Sequence, residues 1–340
     1  MTNPKENLAS WRPGDASRPY CTRPWIQLAL LSDGTAVCSC VDAERTNPLG
    51  NLKEHSLEEV WNGPAMVRLR ENIGADIDRT PICRTCPHRV AGPPPPREGL
   101  DRVPRPRVLF LESYGGCNLR CPGCNRSGLE GSREELTLDF ALTTRVIDAL
   151  SPELAYMEFH IGGENYMHPR ADEMVRYCKD RNPECFILTS TNGHFFQGEE
   201  RCRKVLASGI DAIIFSVDGA RQESYERYRV KGRIDRVFRA METLARLRDE
   251  ADRKRPLLIW RYILFAWNDS TEEMEEARRR AGELGVDALA WHLNCVDSVP
   301  SSTRYHPGSP HLAEIEGELW DTLQERLEID LGVDFASYQG

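Results

Sequence analysis

The chain has 340 residues, with 44 Lys plus Arg against 53 Asp plus Glu, giving a formal net charge of −9. A chain of this length buries a core without disulfide staples and suggests two domains, which excludes a small disulfide scaffold. Its acidity and scarcity of basic runs argue against nucleic acid as a partner, because phosphate binding draws on clustered Lys and Arg.

The longest apolar stretches, 25–31 and 262–267, fall far short of the ~20 residues that span a bilayer, so no membrane-spanning helix is expected. Met1 to Pro13 is polar and lacks the basic-then-apolar layout of a secretory signal. A reducing cytoplasm is therefore expected, and the twelve cysteines need a use other than disulfides.

The first block, residues 1–90, is loop-rich. Asp33-Gly34 reads as the turn of a hairpin, and Ser56 with Glu59 has capping-box spacing at the start of a helix predicted over 56–71. Such a block has a thin core, and its cysteines point to a metal centre that holds it together. The run Gly92-Pro93-Pro94-Pro95-Pro96, followed by Pro104 and Pro106, marks a linker over 91–106.

Beyond it, apolar runs at 108–112, 156–161, 185–191, 212–218, 257–265 and 288–294 alternate with amphipathic stretches at 138–150, 171–180, 199–208, 233–247 and 271–284. This is the signature of βα units and a parallel sheet. The expected fold class is α/β, either a partial barrel or a doubly wound sheet over 107–295, with the active site at the C-terminal strand ends. The Arg278-Arg279-Arg280 run, set among Glu275, Glu276 and Glu283, reads as a solvated helix face. The extension 296–340 adds a helix predicted over 310–327.

Directly after the first of the six strands the chain reads Cys117-Asn118-Leu119-Arg120-Cys121-Pro122-Gly123-Cys124. Three thiolates on one loop suit an iron-sulfur cluster with one iron left open, whereas a structural zinc takes four protein ligands. The spacing resembles the radical S-adenosylmethionine (SAM) superfamily, and further segments strengthen the likeness. Gly162-Gly163-Glu164 follows the second strand, Ser190-Thr191-Asn192-Gly193 ends the third, and Ser216-Val217-Asp218-Gly219 ends the fourth.

The resemblance implies a partial (β/α)6 barrel with SAM chelated to the open iron. Gly162, Gly163 and Glu164 would hold its amino group, and Ser190, Thr191, Asn192, Ser216 and Asp218 would meet its ribose and carboxylate. Arg261, amid Trp260, Tyr262 and Ile263, needs an anionic partner, either a carboxylate of SAM or substrate or a structural salt bridge. One departure from the family is Gly123, which stands where an aromatic residue usually packs near the adenine.

The first block resembles the twitch or SPASM auxiliary-cluster module of the same superfamily, placed before the barrel instead of after it. Cys21, Cys38, Cys83 and Cys86 would close the coordination of a second 4Fe-4S cluster. Cys40 is close enough in sequence to replace Cys38, and paired cysteines also serve zinc. The implied cofactors are thus SAM and two 4Fe-4S clusters, with a flavodoxin or ferredoxin as reductant.

The implied activity is epimerisation of a carbohydrate-like, sugar-containing small molecule, with Cys295 beyond the sixth strand as hydrogen donor. The alternatives are dehydrogenation of a secondary alcohol, with the auxiliary cluster as electron acceptor, and a peptide-modifying reaction. His160 and His292 are candidate bases or hydroxyl partners, with Glu158 and Asn294 as further candidates. A core-histidine role is open for each histidine.

Overall fold

The computed structural model describes residues 19–91, 98–124, 131, 133, 135–294 and 298–323. Eleven strands are defined among them: β1 (Pro19–Tyr20), β2 (Gln27–Leu30), β3 (Thr35–Val37), β4 (Gly50–Asn51), β5 (Val90–Ala91), β6 (Val108–Leu111), β7 (Tyr156–Glu158), β8 (Phe186–Thr191), β9 (Ala212–Ser216), β10 (Leu257–Leu264) and β11 (Ala288–Leu293). β1 and β5 form a two-stranded antiparallel ribbon. The other nine form one sheet in the order β11-β10-β9-β8-β7-β6-β2-β3-β4.

From β6 to β11 every neighbouring pair is parallel, as crossover helices require. The five long helices after Cys124 run Phe140–Leu150, Ala171–Arg181, Glu199–Ala207, Ile234–Glu250 and Thr271–Leu284, where the amphipathic stretches predict them. Local chemistry fixes their ends. Asp139 accepts the Leu142 N–H at 2.7 Å at the start of the first. Gly285, at φ 69°, supplies the left-handed residue that stops the last.

The N-terminal block continues the same sheet, since β2 pairs in parallel with β6, Gln27 facing Val108 through Leu30 facing Leu111. β2 and β3 form the expected hairpin about Gly34, whose φ of +87° suits a residue without a Cβ. Ser56 and Glu59 make the expected capping box. The helix it starts, however, ends at Trp61, and a second begins at Pro64 and runs to Ala75. The break follows from Gly63, where a Cβ would stand 2.0 Å from the Glu59 carbonyl oxygen, and from Pro64, which lacks the N–H to continue a helix.

The helix predicted over 310–327 does not form as one element. Pro310–Glu314 and Glu316–Glu318 are short 3-10 turns, helical geometry begins at Trp320, and residues past 323 lie outside the described residues. Tertiary contacts take precedence here. Leu319 bridges in parallel to Trp291, and Glu318 accepts from the Trp291 indole at 2.6 Å and pairs with Arg278 at 2.6 Å. These contacts draw the segment against the β11 edge. Arg279 and Arg280 pair with Glu276 on the exposed helix face.

Alternation along the strands divides the sheet into two faces. The outer face, with Met157, Phe159, Ile187, Ile213, Phe215, Leu258, Trp260 and Trp291, packs under the helices. The inner face carries Tyr156, Phe186, Leu188, Ile214, Ile259 and Ala290. On the same alternation it turns polar toward the C-terminal ends, through Glu158, Ser190, Ser216, Arg261 and His292. An apolar floor under a polar rim is thereby built.

Candidate active site

The cysteine loop leaves β6 and is held against the glycine loop that follows β7. The Glu164 N–H donates to the Gly116 carbonyl at 2.8 Å. A Cβ on Gly163 would lie 2.3 Å from the Tyr114 oxygen and 2.6 Å from the Gly116 oxygen, at a φ of +66°. Only glycine permits this approach. Donors face the sulfurs: the Leu119 N–H lies 3.4 Å and Asn192 Nδ2 3.6 Å from Cys117 Sγ, and the Arg229 guanidinium 3.8 Å from Cys121 Sγ.

Burial pushes the Cys117 thiol up to about 11 and raises that of Cys121. These thiols ionise readily only with a cation to bind, and Cys124 is exposed on the same loop. Three thiols on one loop, two of them met by N–H donors, fit the ligand set of a 4Fe-4S cluster. Among the described residues no group of three or more His, Cys, Asp or Glu is close enough to hold a single metal ion, so the fit rests on donor chemistry.

Two carboxylates of the motif segments are turned into the protein. Glu164 accepts the Thr191 hydroxyl at 2.7 Å and the Asn192 N–H at 2.8 Å, and burial raises its carboxyl despite these bonds. Asp218 pairs with Arg229 at 2.5 Å and accepts the Ile263 N–H at 2.7 Å. Both brace the strand ends that flank the cysteine loop. Asn192 joins the two parts through its 2.8 Å bond to Asn118.

The polar rim is continuous across four strands. Ser190 and Ser216 lie 3.1 Å apart, and the Arg261 guanidinium donates to both hydroxyls at 3.1 Å. His160 Nδ1 accepts the Ser190 N–H at 3.0 Å, so Nε2 carries the proton and meets Glu158 Oε1 at 3.2 Å. The Tyr156 hydroxyl donates to the other Glu158 oxygen.

Burial raises Glu158 to about 7, with the Tyr156 bond and the charges of Arg261 and Arg23 opposing the rise. Burial, with Arg261 adding to it, depresses His160 to about 3. His292 is lowered in the same way, and its buried Nδ1 has no partner among the described residues. Trp320, from the C-terminal segment, packs on the inner face with its ring 5.9 Å from the Arg261 guanidinium carbon.

The N-terminal cysteines come from three segments: Cys21 ahead of β2, Cys38 directly after β3, and Cys83 with Cys86 at the turn that begins at Pro81. After burial, the main influences raising Cys38 are Cys83 and Cys21; burial followed by Cys86 and Cys21 pushes Cys83 to about 12. Cys21, Cys38, Cys83 and Cys86 thus lie within electrostatic reach of one another, and four thiols fit a fully coordinated cluster. Cys40 instead packs against the inner-face residues. Burial and then Glu158 raise it to about 11, with Cys86 as a weaker influence.

Cys178, Cys185 and Cys202 are buried in the structure, away from both sets. Cys295 lies outside the described residues. Sequence reasoning missed Arg23, Arg229 and Trp320. Arg23 sits two residues from Cys21, a local signal, but the other two are brought to the site by long-range packing.

Comparison with known proteins agrees with this geometry. The Radical SAM superfamily profile matches residues 111–250, and that of the SPASM iron-sulfur cluster-binding domain matches residues 21–87. A tungsten-containing aldehyde ferredoxin oxidoreductase cofactor-modifying protein from Pyrococcus furiosus is 28% identical over 232 residues, 66% of this chain. This chain spans 62% of that relative's length.

Among solved structures, BtrN in complex with AdoMet and 2-DOIA is 26% identical over 32% of this chain and 45% of its own, with a TM-score of 0.29. Methylornithine synthase is 13% identical over 63% of this chain and 62% of its own, with a TM-score of 0.45. With the matched regions falling on the two cysteine sets, the chain carries a SPASM iron-sulfur domain ahead of a radical SAM domain, and the cofactors of these domains are SAM and 4Fe-4S clusters.

Proposed function

We propose that this enzyme oxidises a secondary alcohol of a small, sugar-containing molecule bound on the inner face of the barrel, with Glu158 taking up the hydroxyl proton. The observation that carries this reading is the Tyr156-Glu158-His160 arrangement, which presents a carboxylate of raised proton affinity on the polar rim beside Arg261. SAM and a cluster held by Cys117, Cys121 and Cys124 would supply hydrogen-atom abstraction at the carbinol carbon, and a cluster held by Cys21, Cys38, Cys83 and Cys86 would supply one-electron acceptance.

The protein's part is to hold the alcohol and move one proton. Ser190, Ser216 and Arg261 offer hydroxyl and guanidinium groups to a polyhydroxylated substrate. Glu158 keeps free lone pairs beyond those used by Tyr156 and His160, and a carboxyl near 7 is matched to accepting a proton at neutral pH. Under this reading residues 1–90 form the auxiliary domain, 91–106 the linker, 107–295 the barrel and 296–340 an extension. The enzyme works in the cytoplasm with a flavodoxin-type or ferredoxin-type reductant.

Epimerisation is the second reading, and one observation favours it. Cys40 lies on the inner face near Glu158, where a thiol could return a hydrogen atom to a substrate carbon. The test is anaerobic turnover in deuterium oxide with a panel of cyclitols and aminosugars, followed by mass spectrometry. A ketone two hydrogens lighter than its substrate, formed with deoxyadenosine, is the expected result. An isomer carrying solvent deuterium, and lost in Cys40→Ala or Cys295→Ala, would overturn dehydrogenation in favour of epimerisation.

A further inference from the structure

Arg23 is a buried cation, 4% exposed. Nη1 donates to Gln27 Oε1 at 2.7 Å and Nη2 lies 2.9 Å from His88 Nδ1. Its Nε is buried with no partner among the described residues. Neither of its partners among the described residues, the Gln27 amide and the His88 imidazole, can carry negative charge. No Asp or Glu among the described residues lies within ion-pair distance of the guanidinium.

A buried charge so placed is costly unless an anion answers it. Its partners tie Arg23 to the N-terminal cysteine set: His88 stands two residues from Cys86, and Gln27 Nε2 donates to the Cys38 carbonyl at 3.0 Å. In sequence Arg23 stands two residues from Cys21, so both ends of the set, Cys21 and Cys86, lie beside this guanidinium and its partner His88. Four thiolates around an iron-sulfur core carry net negative charge, which supplies the missing anion.

We infer that Arg23 is the built-in counter-ion of the SPASM cluster and raises its reduction potential, so that the cluster accepts an electron from the barrel side. Reduction adds a negative charge next to a fixed positive one in a site of low dielectric, and the reduced form is stabilised. The inference rests on the cluster-ligand assignment and is independent of the role given to Glu158.

The test needs no substrate. Holoprotein and its Arg23→Lys and Arg23→Gln forms are reconstituted anaerobically, counted for iron, and titrated by electron paramagnetic resonance. Arg23→Gln should lower the SPASM-cluster potential by at least a tenfold change in the reduction equilibrium, about 59 mV for one electron. The SAM-binding cluster should stay unchanged, and Arg23→Lys should stay within a third of that shift.

Loss of the SPASM iron in Arg23→Gln alone would also support a charge requirement. Loss of that iron in both variants, an equal shift in both, or no shift in Arg23→Gln would overturn the inference. A shifted potential together with a dispensable Glu158 would leave the inference standing and remove only the proton-acceptor reading.

Discussion

His160 Nδ1 accepts the Ser190 backbone N–H at 3.0 Å, and this bond directs the Nε2 proton at Glu158, 3.2 Å away. The imidazole therefore works as a neutral donor. With burial and Arg261 holding its proton affinity down to about 3, His160 stays uncharged across the pH range in which the enzyme works. The residue beside it carries the titration.

Product formation should accordingly rise with pH and reach a plateau above about 7, because Glu158 must be ionised to accept a proton. Glu158→Gln should lower kcat/KM on the order of 10²-fold or more and flatten the profile, while SAM still binds. Stability runs the other way. Its folded-state affinity is raised from 4.5 to about 7, so the stabilising contribution is complete below 4.5 and is lost as pH rises through 7. A pH series of urea denaturation on native and Glu158→Gln protein reads that slope, and parallel curves would contradict it.

The two cysteine sets predict about eight irons per chain after anaerobic reconstitution. Replacing Cys117, Cys121 and Cys124 with alanine should halve the iron and abolish SAM cleavage. Cys38→Ser should lose the N-terminal iron, since Cys38 neighbours Cys83 and Cys21. Cys40→Ser should keep it, because Cys40 packs on the inner face. Iron analysis with Mössbauer spectra distinguishes these, and zinc in the N-terminal site would end the electron-acceptor argument.

Glu164→Ala should be destabilised by about 1.5–3 kcal/mol, the scale of a charge-assisted hydrogen bond lost from a buried carboxylate. It should also bind SAM more weakly, since Thr191 and Asn192 lose the group that positions them. Calorimetry of unfolding and of SAM binding reads both effects. Native-like behaviour in both would remove Glu164 from the site.

Arg229→Ala leaves the Asp218 carboxylate buried without its ion-pair partner, which should cost about 3–5 kcal/mol in denaturant unfolding. Arg229→Lys should recover only part of this, because an ammonium lacks the fork that serves Asp218 and Cys121 together. Full recovery in the lysine variant would show that charge alone is needed.

The strand runs, the five long helices and the cysteine loop were legible in the sequence because they are local. Alternation and 3.6-residue periodicity follow from which face of one element is buried, and the Cys117, Cys121 and Cys124 spacing lies within a single loop. The same alternation anticipates that Ser216 and Asp218 share a face. Pro64 is a local signal for the helix break at Asn62-Gly63, whereas the capping box upstream marks only where the helix starts. The C-terminal turns were not signalled, since the pull on them comes from Trp291 and Arg278, distant in the chain.

The sequence by itself determined the radical SAM and SPASM domains, the cysteine loop of the first and the order of the βα units, because each rests on local patterns of residues along the chain. Only the tertiary structure decided that Glu164 and Asp218 are braces, that His160 serves Glu158, and that Arg23 lies buried against Gln27 and His88 with no carboxylate in ion-pair distance among the described residues. Such roles depend on burial and on partners brought together from different strands. Proton affinity and electrostatic cost are set by that assembled environment and not by residue type.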